Sequence, residues 1–167
     1  MSDLIIVRSV EKTDYSQWQL LWKKYNSFYG RDSFPSDITQ LTWSRFFDTN
    51  EPVYAVVAEN GGNLLGIVHY LFHRSTIQIE LNCYLQDLYV SENMRGQGIA
   101  RKLIEAVYAK AKTAGSKRVY WQTKEDNFLA RKLYDKIAEL SGFIVYRKDL
   151  GSFEFRVGSL KAQPTHY

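Results

Sequence analysis

The first candidate for chemistry is a glycine turn near the middle of the chain, in the segment YLQDLYVSENMRGQGIARK of residues 84–102. Here Arg95, Gly96 and Gly98 follow an apolar strand pattern and open a long amphipathic helix pattern. The pattern predicts several free backbone N–H groups beside an arginine, all directed at one point in solvent. Such a point binds anions, and a pyrophosphate is the ligand that it suits best.

Three kinds of phosphate-binding loop compete as interpretations of this turn. A Walker loop requires Gly-Lys-Ser/Thr after a longer glycine span, and no lysine follows the glycine here. A dinucleotide fingerprint requires a small residue three positions after Gly98, where the chain has Arg101. The remaining pattern is Arg/Gln-x-x-Gly-x-Gly/Ala, which Arg95, Gly98 and Ala100 satisfy. A plain strand–turn–helix without a ligand is the alternative that this motif alone leaves open.

A second candidate lies closer to the C-terminus, where Asn127, Ala130 and Tyr134 are separated by steps of three and four. This spacing places the three side chains on one face of a helix. Ala130 and Tyr134 also belong to the apolar stripe of that helix, which includes Leu133 and Ile137. Periodicity alone therefore favours a core tyrosine at Tyr134 and an N-cap at Asn127.

The elements that position both candidates follow from hydrophobic periodicity. Strand patterns occupy residues 4–7, 53–59, 64–72, 84–90, 117–123 and 143–147, and helical stripes occupy residues 14–28, 36–47, 98–114 and 127–140. The order predicts a mixed α/β fold, in which a mostly antiparallel, twisted sheet is flanked by helices. No repeat or linker interrupts the chain. Residues 1–167 are therefore expected to form a single domain, with a core at about 4–149 and a C-terminal tail at 150–167.

The charge balance disfavours several classes of function. The chain has 22 Lys and Arg residues against 18 Asp and Glu residues, a net charge of +4, and no run of basic residues. A mildly basic protein suits a small polyanionic ligand, and this distribution does not indicate a nucleic-acid surface. No apolar stretch approaches the length of a membrane span, and the N-terminal residues lack a signal-peptide pattern. The expected location is the cytoplasm, with no nucleic-acid and no membrane partner.

Metal binding and disulfide chemistry are disfavoured as well. Cys83 is the single cysteine, so the chain can form no intrachain disulfide and no cysteine-rich metal site. Its place within a strand pattern favours a buried packing role. His69 and His73 share a face of one predicted strand, but no third ligand accompanies them. No metal site is therefore expected.

Together, the two motifs resemble those of the GNAT superfamily of N-acetyltransferases, and look most like its histone and polyamine (diamine) acetyltransferase-related branch. The match covers the element order from about residue 4 to 149 and is sharpest from 84 to 147. The resemblance implies an enzyme that binds acetyl-CoA, with the pyrophosphate at the glycine turn and the pantetheine arm along the end of the preceding strand. The cofactor-binding residues that it implies are Leu88, Tyr89, Val90, Arg95, Gly96, Gln97, Gly98, Ile99, Ala100, Arg101, Asn127, Ala130 and Tyr134.

The resemblance also implies the roles of the catalytic groups. Tyr134 matches a tyrosine that protonates the departing CoA thiolate as general acid, and a phenol with an ordinary pKa of about 10 can do so. An alkyl ammonium, with a pKa of about 10.4, must lose a proton before it attacks a thioester. Related enzymes have Glu-Asp where this chain has Gln86 and Asp87, and an amide cannot accept that proton. Asp87 is therefore the predicted base. The open alternatives are Glu80, an ordered water, and an Asp87 that only hydrogen-bonds a loop.

The expected function is direct transfer of acetyl from acetyl-CoA to a primary amine of a small polyamine or amino-compound, without a metal. A protein lysine or N-terminus is the alternative acceptor, and a non-catalytic acyl-CoA-binding sensor domain is the alternative of another class. Tyr29, Asp32 and Asp37 are candidates for the acceptor pocket, while Trp121 fits either the acceptor side or the core. A homodimer is also expected, because the family that the chain resembles is often dimeric.

Overall fold

The computed structural model describes residues 4–151. Its strands are β1 (Ile6–Ser9), β2 (Val53–Asn60), β3 (Asn63–His73), β4 (Asn82–Val90) and β5 (Val119–Tyr120). Its helices are α1 (Tyr15–Phe28), α2 (Ser36–Arg45), α3 (Ile99–Thr113) and α4 (Phe128–Ile137). Short 3-10 turns at Lys12–Asp14 and Glu92–Met94 precede α1 and follow β4. Between residues 4 and 151, no helix is long and apolar enough to cross a membrane.

The strands form one sheet in the order β1-β2-β3-β4-β5. Strands β1 to β4 pair with their neighbours in antiparallel fashion, and β5 adds to β4 in parallel. Gly61 and Gly62 join β2 to β3 with φ angles of 56° and 81°, the positive values that a two-residue hairpin turn requires. This arrangement confirms the predicted mixed, mostly antiparallel sheet.

Helix α3 covers one face of the sheet and helix α1 covers the other. The buried stripe of α3 consists of Ile99, Leu103, Ile104, Val107 and Ala111, which form the α3 core with the sheet. The buried stripe of α1 consists of Trp18, Leu21, Trp22 and Tyr25, which form the α1 core. Strands β2 and β3 contribute to both cores, because successive side chains of a strand alternate between its faces.

An extra residue in β4 changes which face its side chains occupy. His69 and Tyr70 are consecutive in β3. Their partners in β4 are Asp87 and Leu85, which leaves Gln86 between them without a partner. This β-bulge lets Leu85 pack in the α3 core while Asp87 lies on the α1 side of the sheet. Gln86 itself is exposed.

Strands β4 and β5 separate after a short stretch of pairing. β5 contains two residues, which pair with β4 at Cys83↔Val119 and Tyr84↔Tyr120. In the part of the chain that the structure describes, no strand pairs with this edge of β4 at residues 85–90. The backbone groups along this edge are therefore available to an extended ligand.

The strand predicted at residues 143–147 is wrong. Helix α4 ends at Ile137 rather than near residue 140, and residues 138–151 form neither helix nor strand. A strand needs a neighbour for its backbone groups, and the described chain pairs none with this segment, where Phe143 and Tyr146 are 90% and 89% exposed. β5 is also shorter than the predicted 117–123, because only two of its residues meet β4. The predicted tail begins at residue 150, and its residues 152–167 lie outside the described chain.

Replacing Gly66 with alanine should destabilise the fold. Gly66 lies in β3 beneath α3, and a Cβ there would come within 2.9 Å of the Tyr89 backbone oxygen and 3.1 Å of Leu103 Cδ1. The sheet or the helix must shift to relieve this contact, at a cost of about 1–3 kcal/mol. Urea unfolding of Gly66→Ala should show this loss. The control is Gly151→Ala, whose added methyl meets nothing within 4 Å; equal stability of the two variants would contradict the close approach.

Candidate active site

The glycine turn places the N-terminus of α3 at an open surface. Gly96 and Gly98 have φ angles of 77° and 79°, in the left-handed region that residues with a Cβ rarely adopt. A Cβ at either position would meet no atom within 4 Å, so conformation rather than crowding requires glycine. Gly98 caps α3, and its carbonyl oxygen accepts a hydrogen bond from the Lys102 N–H at 3.1 Å. The N–H groups of the first turn, including that of Ala100, have no acceptor within the helix and can bind an anion.

Two arginines flank this turn in different ways. Arg95 donates from Nε to the carbonyl oxygen that ends β4, at 3.2 Å. Its guanidinium lies 5.7 Å from the ring centre of Tyr89 and 6.0 Å from that of Phe28. Arg101 instead forms an exposed ion pair with Glu105 along α3, at 2.9 Å. Arg95 is therefore held at the end of β4, next to the turn in sequence, whereas Arg101 must exchange a weak surface partner before it can bind a ligand there.

The other predicted cofactor-binding residues at this end of the site differ in whether their side chains are buried or exposed. Leu88, Val90 and Ile99 turn their side chains into the α3 core, so they can offer a ligand only backbone groups. Tyr89 points to the opposite face and packs in the α1 core. Gln97 is exposed within the turn. The backbone of this region, rather than its side chains, therefore forms the surface beside the turn.

Two clefts adjoin at the end of α1. One, of about 580 Å³, is lined by Lys24, Ser27, Phe28, Tyr89, Glu92 and Asn93. The other, of about 220 Å³, is lined by Phe28, Tyr29, Lys124, Asp126 and Asn127. Asn127 caps α4 and donates from Nδ2 to Thr123 Oγ1 at 3.0 Å, and Ala130 is half-buried one turn further along. Because Phe28 lines both clefts, they lie side by side, one at the end of β4 and the other at the start of α4.

Tyr134 is held at the edge of the α3 core. Its ring packs edge-on against Trp121, with the ring centres 5.3 Å apart. Trp121 is itself partly buried against the α3 core, which settles its side of the sheet. Burial raises the pKa of Tyr134 to about 12, and Tyr29 adds a smaller electrostatic effect in the same direction. The phenol therefore keeps its proton at neutral pH and can act as a hydrogen-bond donor.

Asp87 belongs to a hydrogen-bonded series of four buried side chains, Trp18, His69, Asp87 and Tyr25. Of these four, the sequence predicted a catalytic role only for Asp87. Its Oδ1 accepts the hydroxyl hydrogen of Tyr25 at 2.6 Å. Its Oδ2 lies 3.0 Å from Nδ1 of His69, which is the residue paired with it across the sheet. The indole N–H of Trp18 donates to the other ring nitrogen, Nε2 of His69, at 2.9 Å. Trp18 and Tyr25 lie within the helical stripe predicted at residues 14–28, whose spacing indicates only a core-facing helix, and no local pattern predicts the bulge at Gln86.

The residues considered beside Asp87 as proton acceptors lie outside its buried surroundings or keep their own proton. Gln86 is exposed at the bulge, beside the free edge of β4. Glu80 precedes the far end of β4 and forms an ion pair with Lys117 at 2.5 Å, which lowers the pKa of its carboxyl group. Burial and the adjacent Asp87 carboxylate raise the pKa of Tyr25, so this phenol stays protonated and donates to Asp87.

The two clefts at the end of α1 are together called the opening. Basic side chains lie over the aromatic rings on its α1 side. The Arg31 guanidinium lies 5.6 Å from the ring centre of Tyr25 and 5.3 Å from that of Tyr29. Lys124 Nζ lies 5.8 Å from the ring centre of Tyr29. Tyr29 also interacts electrostatically with Asp87 and with Tyr134, so it lies close to both predicted catalytic residues.

Two acids predicted for the acceptor pocket have local partners instead. Asp32 accepts the hydroxyl hydrogen of Ser27, and Asp37 accepts the backbone N–H of Ile38 at 2.9 Å in the first turn of α2. Arg31, one residue before Asp32, was missed because an isolated arginine in a loop carries no spacing signal. The side of the opening next to Tyr29 is therefore more basic than the sequence suggested.

Within residues 4–151, no group of three or more His, Cys, Asp or Glu side chains lies close enough to hold a metal ion. The ring nitrogens of His73 lie 2.7 Å from Tyr120 Oη and 2.8 Å from the Arg74 carbonyl oxygen. Cys83 is fully buried in the α3 core, and burial raises the pKa of its thiol to about 11. The described chain therefore presents tyrosines, Asp87 and backbone N–H groups as its chemically useful groups.

Proteins of similar sequence are acetyltransferases. The sequence matches the acetyltransferase (GNAT) family over residues 15–138. The D-amino-acid N-acetyltransferase HPA3 of Saccharomyces cerevisiae (strain ATCC 204508 / S288c) is 34% identical over 151 residues, which cover 89% of this chain and 93% of that protein. The N-alpha-acetyltransferase 30 of Schizosaccharomyces pombe (strain 972 / ATCC 24843) is 30% identical over 106 residues, which cover 62% of this chain and 66% of that protein.

Solved structures of other acetyltransferases share the fold. The aminoglycoside N-acetyltransferase AAC(6')-Iy, solved in complex with CoA, has a TM-score of 0.78 at 16% identity, over 90% of this chain and 98% of that one. A ribosomal-protein-alanine N-acetyltransferase from Brucella melitensis biovar Abortus 2308 has a TM-score of 0.69 at 20% identity, over 87% of this chain and 98% of that one. The family match over most of the chain and the similarity to HPA3 confirm that the chain belongs to the GNAT family and is an acetyl-CoA-dependent N-acetyltransferase.

Proposed function

We propose that this enzyme acetylates the primary amine of a small amino-compound that also carries a carboxylate, an amino acid being the simplest case. The observation that carries this proposal is the pair of cations, Arg31 and Lys124, at the opening beside Tyr29. Among the described residues neither cation has an ion-pair partner, and Arg31 Nε is buried without a hydrogen-bond partner. A carboxylate satisfies a guanidinium through paired charge-assisted hydrogen bonds.

The similarity to HPA3, which is named a D-amino-acid N-acetyltransferase, supports the same acceptor class. A polyamine was the first acceptor that the sequence suggested, but two cations at the opening repel a polycation. A protein lysine or N-terminus is the remaining alternative, for which an acceptor surface longer than one amino acid is needed. The proposed acceptor is thus a small zwitterion rather than a polycation or a polypeptide.

We also propose that the glycine turn and the free edge of β4 hold the co-substrate. The free N–H groups at the N-terminus of α3 and the guanidinium of Arg95 suit a pyrophosphate, because the helix dipole and the arginine both favour an anion. The unpaired edge at residues 88–90 can add an extended arm by backbone hydrogen bonding, with Asn127 across the opening. Acetyl-CoA supplies a thioester whose carbonyl carbon the amine attacks.

Tyr134 is proposed to supply the proton that the leaving thiolate needs. Its phenol is protonated at neutral pH because burial raises its pKa to about 12. A protonated phenol can donate a hydrogen bond to the sulfur as negative charge develops there, and can then give up its proton. Neither step requires a metal ion or a covalent bond to the enzyme.

Tyr134→Phe should lower kcat by about 100-fold, the usual contribution of one general acid. The dissociation constant of CoA, measured by calorimetry, should change little because the ring remains. Since the acid form is the active one and its pKa is about 12, the wild-type rate should show no loss from this group below about pH 11. Tyr108→Phe is the matched control, because Tyr108 also packs on Trp121 and donates to the Ile137 carbonyl oxygen at 3.1 Å. Equal losses in both variants would argue against the acid role.

Arg31→Gln should raise the KM for amino acids at least tenfold, because one charge-assisted pair to the carboxylate is lost. The KM for the corresponding amino-acid amides, which lack the carboxylate, should stay within twofold. The assay is CoA release with a panel of D- and L-amino acids, their amides, polyamines and short peptides. Lys112→Gln removes the same charge in the last turn of α3 and should behave as wild type.

The panel also separates the alternatives. A preference for polyamines or for peptides over every amino acid would overturn the proposed acceptor class. Tight CoA binding with no transfer to any amine would instead indicate a non-catalytic acyl-CoA-binding domain.

A further inference from the structure

The protonation state of His69 follows from its partners. An indole N–H can only donate, so Nε2 of His69, at 2.9 Å from Trp18 Nε1, must be the acceptor and carries no hydrogen. The single ring hydrogen is then on Nδ1, which donates to Asp87 Oδ2 at 3.0 Å. His69 is buried and held as the neutral Nδ1–H tautomer by two directed contacts.

Asp87 is consequently an acceptor at both oxygens. Oδ2 accepts from His69, and Oδ1 accepts from the hydroxyl of Tyr25 at 2.6 Å. A carboxylate with two donors in fixed positions is oriented rather than free to rotate. Asp87 is only 9% exposed and a buried donor already faces each of its oxygens, so a substrate amine has little direct access to the carboxylate. A proton from the acceptor then needs a group beside Asp87 to carry it.

The hydrogen-bonded series of Trp18, His69, Asp87 and Tyr25 ends close to the clefts at the end of α1. The bulge at Gln86 turns Asp87 toward the α1 side at the place where β4 leaves β5. Tyr25 lies next to Tyr29, with ring centres 5.1 Å apart, and Tyr29 interacts with Tyr134. Tyr25 is thus in ring contact with Tyr29, which lines the smaller cleft.

We propose that Tyr25 accepts the proton of the acceptor amine and relays its own proton to Asp87, while His69 and Trp18 act as positioning residues. The proton leaves the ammonium nitrogen for Tyr25 Oη as the phenolic proton moves to Asp87 Oδ1. Tyr25 begins and ends neutral, Asp87 ends as the neutral acid, and the amine regains its lone pair. The lone pair forms the new C–N bond, the C–S bond breaks, and the thiolate takes the proton of Tyr134, while the nitrogen gives up its second proton to solvent water. Solvent then returns a proton to Tyr134 and removes one from Asp87.

The role of Trp18 is to keep His69 neutral. If His69 became an imidazolium, its positive charge would lie 3.0 Å from Asp87 and would disfavour a proton on that carboxylate. The occupied Nε2 prevents this, because a second ring hydrogen would point at the indole N–H. A neutral imidazole leaves Asp87 able to receive the relayed proton.

The test is the pH profile of Trp18→Phe, which keeps the stacked ring but frees Nε2. A second ring hydrogen then has room at Nε2, so kcat/KM relative to wild type should fall about tenfold between pH 8 and pH 5.5, the range in which histidine side chains ordinarily gain their charge. The other rings against His69 are Trp22 and Phe46, which do not titrate. The charged or titratable groups around Asp87 are Tyr25, Tyr29, Tyr84 and His69, with Arg31 over Tyr25.

Trp22→Phe is the matched control. Trp22 lies in the same helix and its ring centre is 5.1 Å from that of His69, but its indole nitrogen has no hydrogen-bond partner. This variant should lose a similar amount of packing and keep the wild-type pH profile. The double variant Trp18→Phe/His69→Asn, which retains an N–H donor toward Asp87 but cannot be protonated, should remove the new acidic loss. An acidic loss that appears equally in the control, or persists in the double variant, would overturn the positioning role.

Tyr25→Phe should lower kcat/KM for the amine about 100-fold while leaving the dissociation constant of acetyl-CoA within twofold. Unchanged kcat/KM would refute the relay. The assay uses whichever amine the panel shows to be best, so a wrong acceptor class does not affect it.

Nitrogen-15 spectra of the His69 ring provide a readout without turnover: the wild type should show the Nδ1–H tautomer from pH 5 to 8. A hydrogen observed on Nε2 in the wild type within that range would also refute the proposal.

Discussion

The site depends on one backbone irregularity, the point where β4 gains an extra residue and parts from β5. Gln86 interrupts the register between His69 and Asp87, and β5 pairs with only two residues of β4. The first effect turns a carboxylate out of the α3 core and toward α1. The second leaves a strand edge whose backbone groups need partners, which water or an extended ligand must supply.

The two cores support the two halves of the site separately. Ile99 is buried in the α3 core, so the N-terminus of α3 and the glycine turn are fixed against the sheet. Trp18 and Tyr25 belong to the α1 core, so the groups around Asp87 are fixed by aromatic packing on the other face. The halves meet at Phe28 and Tyr29, where α1 ends and both clefts open. The glycine turn and the surroundings of Asp87 are thus supported by different packing layers.

Local patterns in the sequence predicted most of the fold. The stripe of α3 and the alternation in β2 and β3 depend on helix and strand periodicity, which the sequence shows directly. The glycines at 96 and 98 mark positions with positive φ, a backbone requirement that acts within the turn itself. The strand predicted at 143–147 failed for the opposite reason. Its residues have strand propensity, but pairing depends on a neighbour, and the described chain supplies none.

By itself, the sequence determined most of the elements, the glycine turn before α3 and the helical face that carries Asn127 and Tyr134. These features arise from residues a few positions apart, so spacing reveals them. Only the tertiary structure decided what surrounds Asp87, because Trp18, Tyr25 and His69 approach it from α1 and β3 across a register set by a bulge. It also decided that Arg31 lies over Tyr25 and Tyr29. Contacts between residues distant in the chain depend on packing geometry, which no local pattern encodes.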